Sequence, residues 1–102
     1  MLMTKRKPAT VGEFLAEEFM QPMGLTQGAL AEAMGVQRKH VNELCNNRRN
    51  VTAATALILA WVFGNSPGFW LNVQQRSDLG NAMNSPCARE RIARSKPLDT
   101  VA

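Results

Sequence analysis

The amino-acid sequence predicts an all-α protein of five helices followed by a basic, flexible tail, and three observations carry that prediction. Apolar residues recur at i, i+3, i+4 spacing, as an amphipathic helix requires, and no stretch shows the alternation of a half-buried strand. Threonine, or serine followed by proline, stands just before most of those apolar runs, where helix N-caps and first turns want them. Glycine or asparagine stands just after them, where helices stop.

The first helix is predicted in TVGEFLAEEFM, with Thr10 and Glu13 spaced as a capping box and Val11, Phe14 and Leu15 on one apolar face. Pro22 and Gly24 end it. Thr26 caps the second helix, QGALAEAM, whose Leu30, Ala31 and Met34 face inward until Gly35 breaks the run. The third spans about Arg38 to Asn46, with Val41, Leu44 and Cys45 on its inner side. Cys45 reads as a small core hydrophobe, and Asn47 as a residue that tolerates the left-handed conformation of a helix stop. Thr52 opens the fourth helix, AATALILAWVFG, in which Ala54, Leu57, Ile58 and Trp61 form an expected inward stripe. Ser66 and Pro67 start the fifth, over about residues 67–84, with Phe69, Val73 and Met83 as its stripe. Residues 10–84 are the expected folded domain, between a flexible basic N-terminus at 1–9 and a frayed basic tail at 85–102.

At 102 residues the chain suits one compact domain. Its 45% hydrophobic and 20% charged residues place it among chains that fold. The formal charge of +4 is modest, so its distribution matters more than its size. Lys5, Arg6 and Lys7 precede a helix carrying Glu13, Glu17 and Glu18; Arg38, Lys39, Arg48 and Arg49 fall in the middle; Arg89, Arg91, Arg94 and Lys96 fall in the tail. A basic middle behind a mostly neutral first third suggests a polyanion footprint, or else a solvated basic surface.

Two distant cysteines and a single histidine, His40, do not make a closed zinc site, which needs four ligands. No carboxylate cluster or paired histidine suggests an enzyme, and no cofactor or small-molecule substrate is implied. The longest apolar run, AATALILAWVF, is about half of the ~20 residues a membrane span needs. No signal pattern precedes it, and a cytoplasmic protein is expected.

Two short helices joined by a tight glycine turn, the second offering polar residues outward, form the pattern of a helix-turn-helix at about residues 26–46. Rotation of the third helix by about 100° per residue, with Val41 inward, turns Lys39, Asn42, Glu43 and Asn46 outward and leaves Arg38 and His40 beside them. Arginine and lysine match the paired acceptors of guanine, asparagine reads adenine with a donor and an acceptor, and a carboxylate accepts from cytosine N4. The expected base-facing set is Arg38, Lys39, His40, Asn42 and Glu43. The expected phosphate-facing set is Thr26, Gln27, Asn46, Arg48 and Arg49. A solvated helix face is the competing reading.

The stretch LTQGALAEAMGVQRKHVNELCNNRRN resembles the lambda-repressor-like (XRE) helix-turn-helix. Its flanks, VGEFLAEEFMQPMG and SPGFWLNVQQRSDL, resemble the HigA or VapI branch of antitoxins, the run from Pro67 to Asn72 being the more specific mark. The resemblance implies a dimeric DNA binder that represses its own operon and neutralises a small basic HigB-type, RelE-like toxin that cleaves RNA. A stand-alone repressor of the same fold is the alternative. It also implies Gln27 on a phosphate and Arg38, Lys39, His40 and Glu43 at base-facing positions. Three departures stand out. Gln37 replaces the usual serine or threonine and weakens the N-cap of the third helix, Asn47 replaces a glycine, and Gly80 replaces an aromatic, so that the fifth helix is expected to fray or end there.

Bulky apolar groups cover more than one side of the fifth helix, which suggests a partner. Trp70, Leu71 and Leu79 are the expected dimer or partner interface, with Trp70 alternatively covering the fourth helix beside Trp61. Because one short helix reads only a few base pairs, a homodimer on a palindromic operator is expected, with half-sites about 34 Å apart.

Overall fold

The computed structural model describes residues 8–98. Among them every regular element is a helix, and there are six. The first, α1, is three contiguous segments: Val11–Glu13 and Gln21–Met23 in α geometry flank Phe14–Met20 in π geometry. Then follow α2 (Gln27–Met34), α3 (Arg38–Cys45), α4 (Ala53–Phe63), α5 (Pro67–Met83) and α6 (Pro86–Arg94). The cations Lys5, Arg6 and Lys7 lie outside the described residues.

The caps are where the residue types place them. The hydroxyls of Thr10, Thr26, Thr52, Ser66 and Ser85 accept from N–H groups of the first turns of α1, α2, α4, α5 and α6. Each satisfies one of the orphan donors at a helix start. The expected capping box is half formed: Thr10 Oγ1 accepts from Glu13 N at 3.1 Å, while the Glu13 carboxylate takes the Thr10 hydroxyl at 3.2 Å. Gln37 makes no side-chain cap on α3, in keeping with its weak capping chemistry.

The core gathers Val11, Leu15 and Met20 of α1, Leu30, Ala31 and Met34 of α2, and Val41 and Leu44 of α3. Val51, then Ala56, Leu59 and Ala60 of α4, and Trp70 and Val73 of α5 complete it. The π segment explains why both Leu15 and Met20 are buried. Its i→i+5 bonding brings residues five apart onto one face, which α geometry would rotate away.

Several expectations are corrected here. Leu57 and Trp61 do not face inward; Trp61 is 89% exposed, and α4 instead buries Thr55, Ala56, Leu59 and Ala60. Small residues on that side let α4 lie close to α5. Trp70, expected at an interface or beside Trp61, is wholly enclosed. Its ring lies 5.0 Å from Phe19, 5.1 Å from Phe69 and 5.9 Å from Phe63, and its Nε1–H donates to Asn65 Oδ1 at 2.9 Å. A tryptophan with every edge packed and its polar atom satisfied is a core residue. Met83, expected on the inner stripe of α5, is exposed.

α5 continues through Gly80 to Met83. Pro8 covers that glycine so closely that a Cβ there would stand 3.0 Å from Pro8 Cδ. The chain before α1 thus sits where a side chain would otherwise project. The expected frayed tail is also corrected, because residues 86–94 form α6. Ser85 caps it, Pro86 presets its first turn, and Arg91 and Arg94 in its last turn complement the helix dipole. None of its residues is buried, and Ile92 lies exposed.

Candidate nucleic-acid interface

α2 and α3 meet through a turn built by backbone chemistry. Gly35 takes φ 71°, and the N–H groups of Gly35 and Val36 return to the Glu32 and Ala31 carbonyls. This closes α2 in a Schellman motif and aims α3 across it. Val41 and Leu44 anchor α3 in the core with Cys45 half-buried behind them. Arg38, Lys39, Asn42 and Asn46 are exposed, and His40 and Glu43 are half-buried.

The outward residues are organised among themselves. Asn42 Nδ2 donates to Gln27 Oε1 at 3.2 Å, tying the first residue of α2 to the outer face of α3. Asn46 Nδ2 donates to the Asn42 carbonyl at 2.9 Å. Arg49 donates twice to Glu43 Oε1, from Nη2 at 2.8 Å and from Nε at 3.1 Å, forming the one ion pair among the described residues. The hydrogen bond from Arg49 holds the Glu43 carboxyl below its usual range, and the charges of Arg49, Lys39 and His40 act in the same direction. Burial, with Arg49 nearby, lowers the His40 imidazole below its usual value, while Glu43 opposes that shift. His40 Nε2 is enclosed and has no hydrogen-bond partner among the described residues.

The loop after α3 is held from two sides. Asn47 adopts φ 58° and closes α3 in a second Schellman motif, with Arg48 N–H on the Glu43 carbonyl at 2.8 Å. Its side chain then caps a different helix: Oδ1 accepts from Gly12 N at 3.0 Å, and Nδ2 donates to Thr10 Oγ1 at 3.0 Å. Gly12 is small for a reason, since a Cβ there would run into the Cys45 carbonyl. Four residues after Asn47, Val51 N–H donates to Gln74 Oε1 at 2.9 Å, and Gln74 Nε2 bridges Asn50 and Asp78. The backbone carrying Arg48 and Arg49 is therefore fixed to α1 at one end and to α5 at the other.

This surface is a short polar helix set on an apolar scaffold, with amides and cations converging on its outer side. Among the described residues no group of three His, Cys, Asp or Glu side chains is placed to hold a metal ion.

Comparison with known proteins agrees with the geometry. A helix-turn-helix family model, HTH_3, matches residues 17–70, more than half of the chain. The chain belongs to this XRE-type helix-turn-helix family. Its relatives within that family include HigA antitoxins. Antitoxin HigA-1 of Vibrio cholerae serotype O1 is 51% identical over 84 residues, covering 82% of this chain and 79% of that protein. The solved structure of Pseudomonas aeruginosa antitoxin HigA with the higBA promoter is 30% identical, with a TM-score of 0.81 over 89% of this chain and 98% of that one. Antitoxin GraA in complex with its operator is 36% identical, with a TM-score of 0.84 over 98% of this chain and the whole of the other.

Within this HigA-type chain, α2 and α3 bring Gln27, Arg38, Lys39, Asn42, Glu43 and Asn46 to one face. Thr26 is spent as the α2 cap, accepting from Ala29 N at 3.1 Å. Leu79 is 57% exposed on α5 and Leu71 is also exposed, whereas Trp70, which was expected to join them, is buried. Two residues that organise the site escape a reading by periodicity. Asn47 is legible only as a tolerant helix stop, and Gln74 sits unremarked in WLNVQQ.

Proposed function

We propose that this protein is a sequence-specific DNA-binding antitoxin of a toxin-antitoxin module, acting in the cytoplasm as a homodimer on a palindromic operator and repressing its own operon. Residues 10–84 form the DNA-binding unit. The observation that carries the proposal is the outer face of α3, where Arg38, Lys39 and Asn42 stand exposed on a helix anchored by Val41 and Leu44. Arg38, Lys39, His40, Asn42 and Glu43 face the bases, and Thr26, Gln27, Asn46, Arg48 and Arg49 lie toward the backbone. Leu71 and Leu79 contribute to the contact between copies. The operator complex of GraA and the promoter complex of Pseudomonas HigA support DNA as the ligand. The HigA kinship supports a small basic HigB-type, RelE-like toxin as the second partner.

The test is a gel-shift titration on the DNA preceding the gene, with unrelated DNA as competitor, at several salt concentrations. Arg38→Ala or Lys39→Ala should cost roughly 1 to 3 kcal/mol and relax preference at one base pair. Gln27→Ala should weaken all sequences alike. Equal losses for both sets on every operator variant would overturn the division of roles. Co-purification with the product of the adjacent gene tests the antitoxin part, and failure of that product to bind while operator binding stays tight leaves a stand-alone repressor.

A further inference from the structure

We infer that Glu43 is a positioning residue that holds Arg49 off the DNA backbone until a matching base releases it, so that a phosphate contact is made conditional on sequence. The inference rests on the DNA-binding reading above and deepens it.

The geometry offers Arg49 two destinations. Its backbone sits in a loop pinned at Asn47 to α1 and at Asn50 and Val51 to α5, so the loop does not carry it away. Its guanidinium is meanwhile folded back six residues onto α3, with Nε and Nη2 both on Glu43 Oε1. A guanidinium neutralised by a carboxylate at 2.8 Å displaces no counterion from DNA, because its charge is already matched. Arg48, next to it in the same loop, has no ion pair among the described residues and is exposed. One of the two loop cations is thus committed and the other is available.

Glu43 also lies on the face of α3 offered to DNA. Facing unrelated sequence, its carboxylate meets no donor, remains the best partner for Arg49, and adds a repulsive charge near phosphate. Facing a cytosine, its carboxylate accepts from N4–H₂. The amino group takes the free Oε2 and draws on the carboxylate's charge, which weakens its hold on Arg49 through Oε1, and a neighbouring phosphate takes the guanidinium in its place. One carboxylate discriminates twice, by its own base contact and by the cation it releases. Such pairing against the wrong partner is how specificity is commonly raised without raising affinity.

The experiment is a salt titration of binding on operator and unrelated DNA for the wild type, Glu43→Gln, Arg49→Ala and the double variant, after thermal melts have shown each to be folded. Each phosphate cation contributes about 0.9 to the slope of log K against log salt. The wild-type slope should be steeper on operator than on unrelated DNA. Glu43→Gln, which no longer holds the guanidinium, should steepen the unrelated slope by about 0.9 and lower the ratio of specific to non-specific affinity several-fold. Arg49→Ala should flatten the operator slope by about 0.9 while the unrelated slope stays with the wild type. In the double variant the gain from Glu43→Gln on unrelated DNA should vanish. If Arg49→Ala flattens both slopes equally, or Glu43→Gln leaves the unrelated slope where it was, Arg49 is not held and the inference falls while DNA binding stands. A wild type that binds operator no better than unrelated DNA overturns the functional reading itself.

Discussion

Replacing Asn47 by glycine sets two effects of opposite sign against each other. Glycine occupies φ near 58° without a Cβ penalty, and relief of a left-handed residue is worth up to about 1 kcal/mol, less for asparagine than for most. Against this, the substitution removes the acceptor of Gly12 N–H and the donor to Thr10 Oγ1. Gly12 is buried under the Cys45 carbonyl, so its N–H is left poorly hydrated, a loss of roughly 1 to 3 kcal/mol. The exposed bond to Thr10 adds about 0.5 kcal/mol. Asn47→Gly should therefore destabilise the protein by roughly 0.5 to 3.5 kcal/mol, lowering Tm by about 4 to 8 °C per kcal/mol for a domain of this size. Asn47→Ala loses the same bonds and keeps a strained Cβ, and should fall about 1 kcal/mol further. Asn47→Asp keeps the acceptor at a helix N-terminus and should sit between glycine and the parent. Urea denaturation followed by circular dichroism measures all three. A glycine variant as stable as the parent would show that the side chain of Asn47 contributes nothing beyond its tolerance of the turn.

The remaining expectations concern packing, pH and thiol reactivity. Trp70→Ala should cost about 3 to 5 kcal/mol and unfold much of the population, whereas Leu79→Glu should shift size-exclusion elution toward one copy and lower the melt only by the lost association; equal melts for both would refute the assignment of Trp70 to the core. Because the folded His40 pKa lies below its ordinary 6.5, the unfolded chain takes up the proton first. Stability is therefore undiminished above pH 6.5 and falls as pH drops from there through the folded pKa. The depressed Glu43 pKa adds stability above its ordinary 4.5 that is lost as pH falls further. His40→Gln should flatten the first limb in melts between pH 7 and pH 5. Burial raises the Cys45 thiol above its ordinary value, and its Sγ rests 3.7 Å from Met20 Sδ, so iodoacetamide should modify the exposed Cys87 first. Peptide mapping that found Cys45 alkylated as fast would contradict the packing behind α3.

The parts of the structure legible in the sequence are those whose cause is local. Thr10, Thr26, Thr52 and Ser66 announce helices because capping needs only three or four neighbouring residues. The phase of α3 follows from Val41 and Leu44, since polar residues on every other side leave one way to turn it. α4 defeats the same reasoning. Thr55 is its only polar residue, so apolar spacing fits any phase, and close packing on α5 selects Ala56 and Ala60 over Leu57 and Trp61. α6 stands where a frayed tail was expected, because the Ser85 cap, Pro86 and the charges of its last turn stabilise a helix that buries nothing. The π segment of α1 and the bonds from Asn47 and Gln74 depend on elements 23 or more residues away in sequence or on the packing of the whole, and neither leaves a periodic trace.

The contrast between the two tryptophans reaches beyond packing. The chain has no tyrosine, so its near-ultraviolet emission comes from two indoles alone, one sealed among phenylalanines and one standing in water. Iodide should extinguish the Trp61 signal and spare that of Trp70, splitting the spectrum into a wet, red-shifted component and a dry one. Loss of the dry component would report melting of the core, and shielding of the wet one would report a molecule settling on α4. The protein thus carries two independent optical gauges, nine residues apart, without a label.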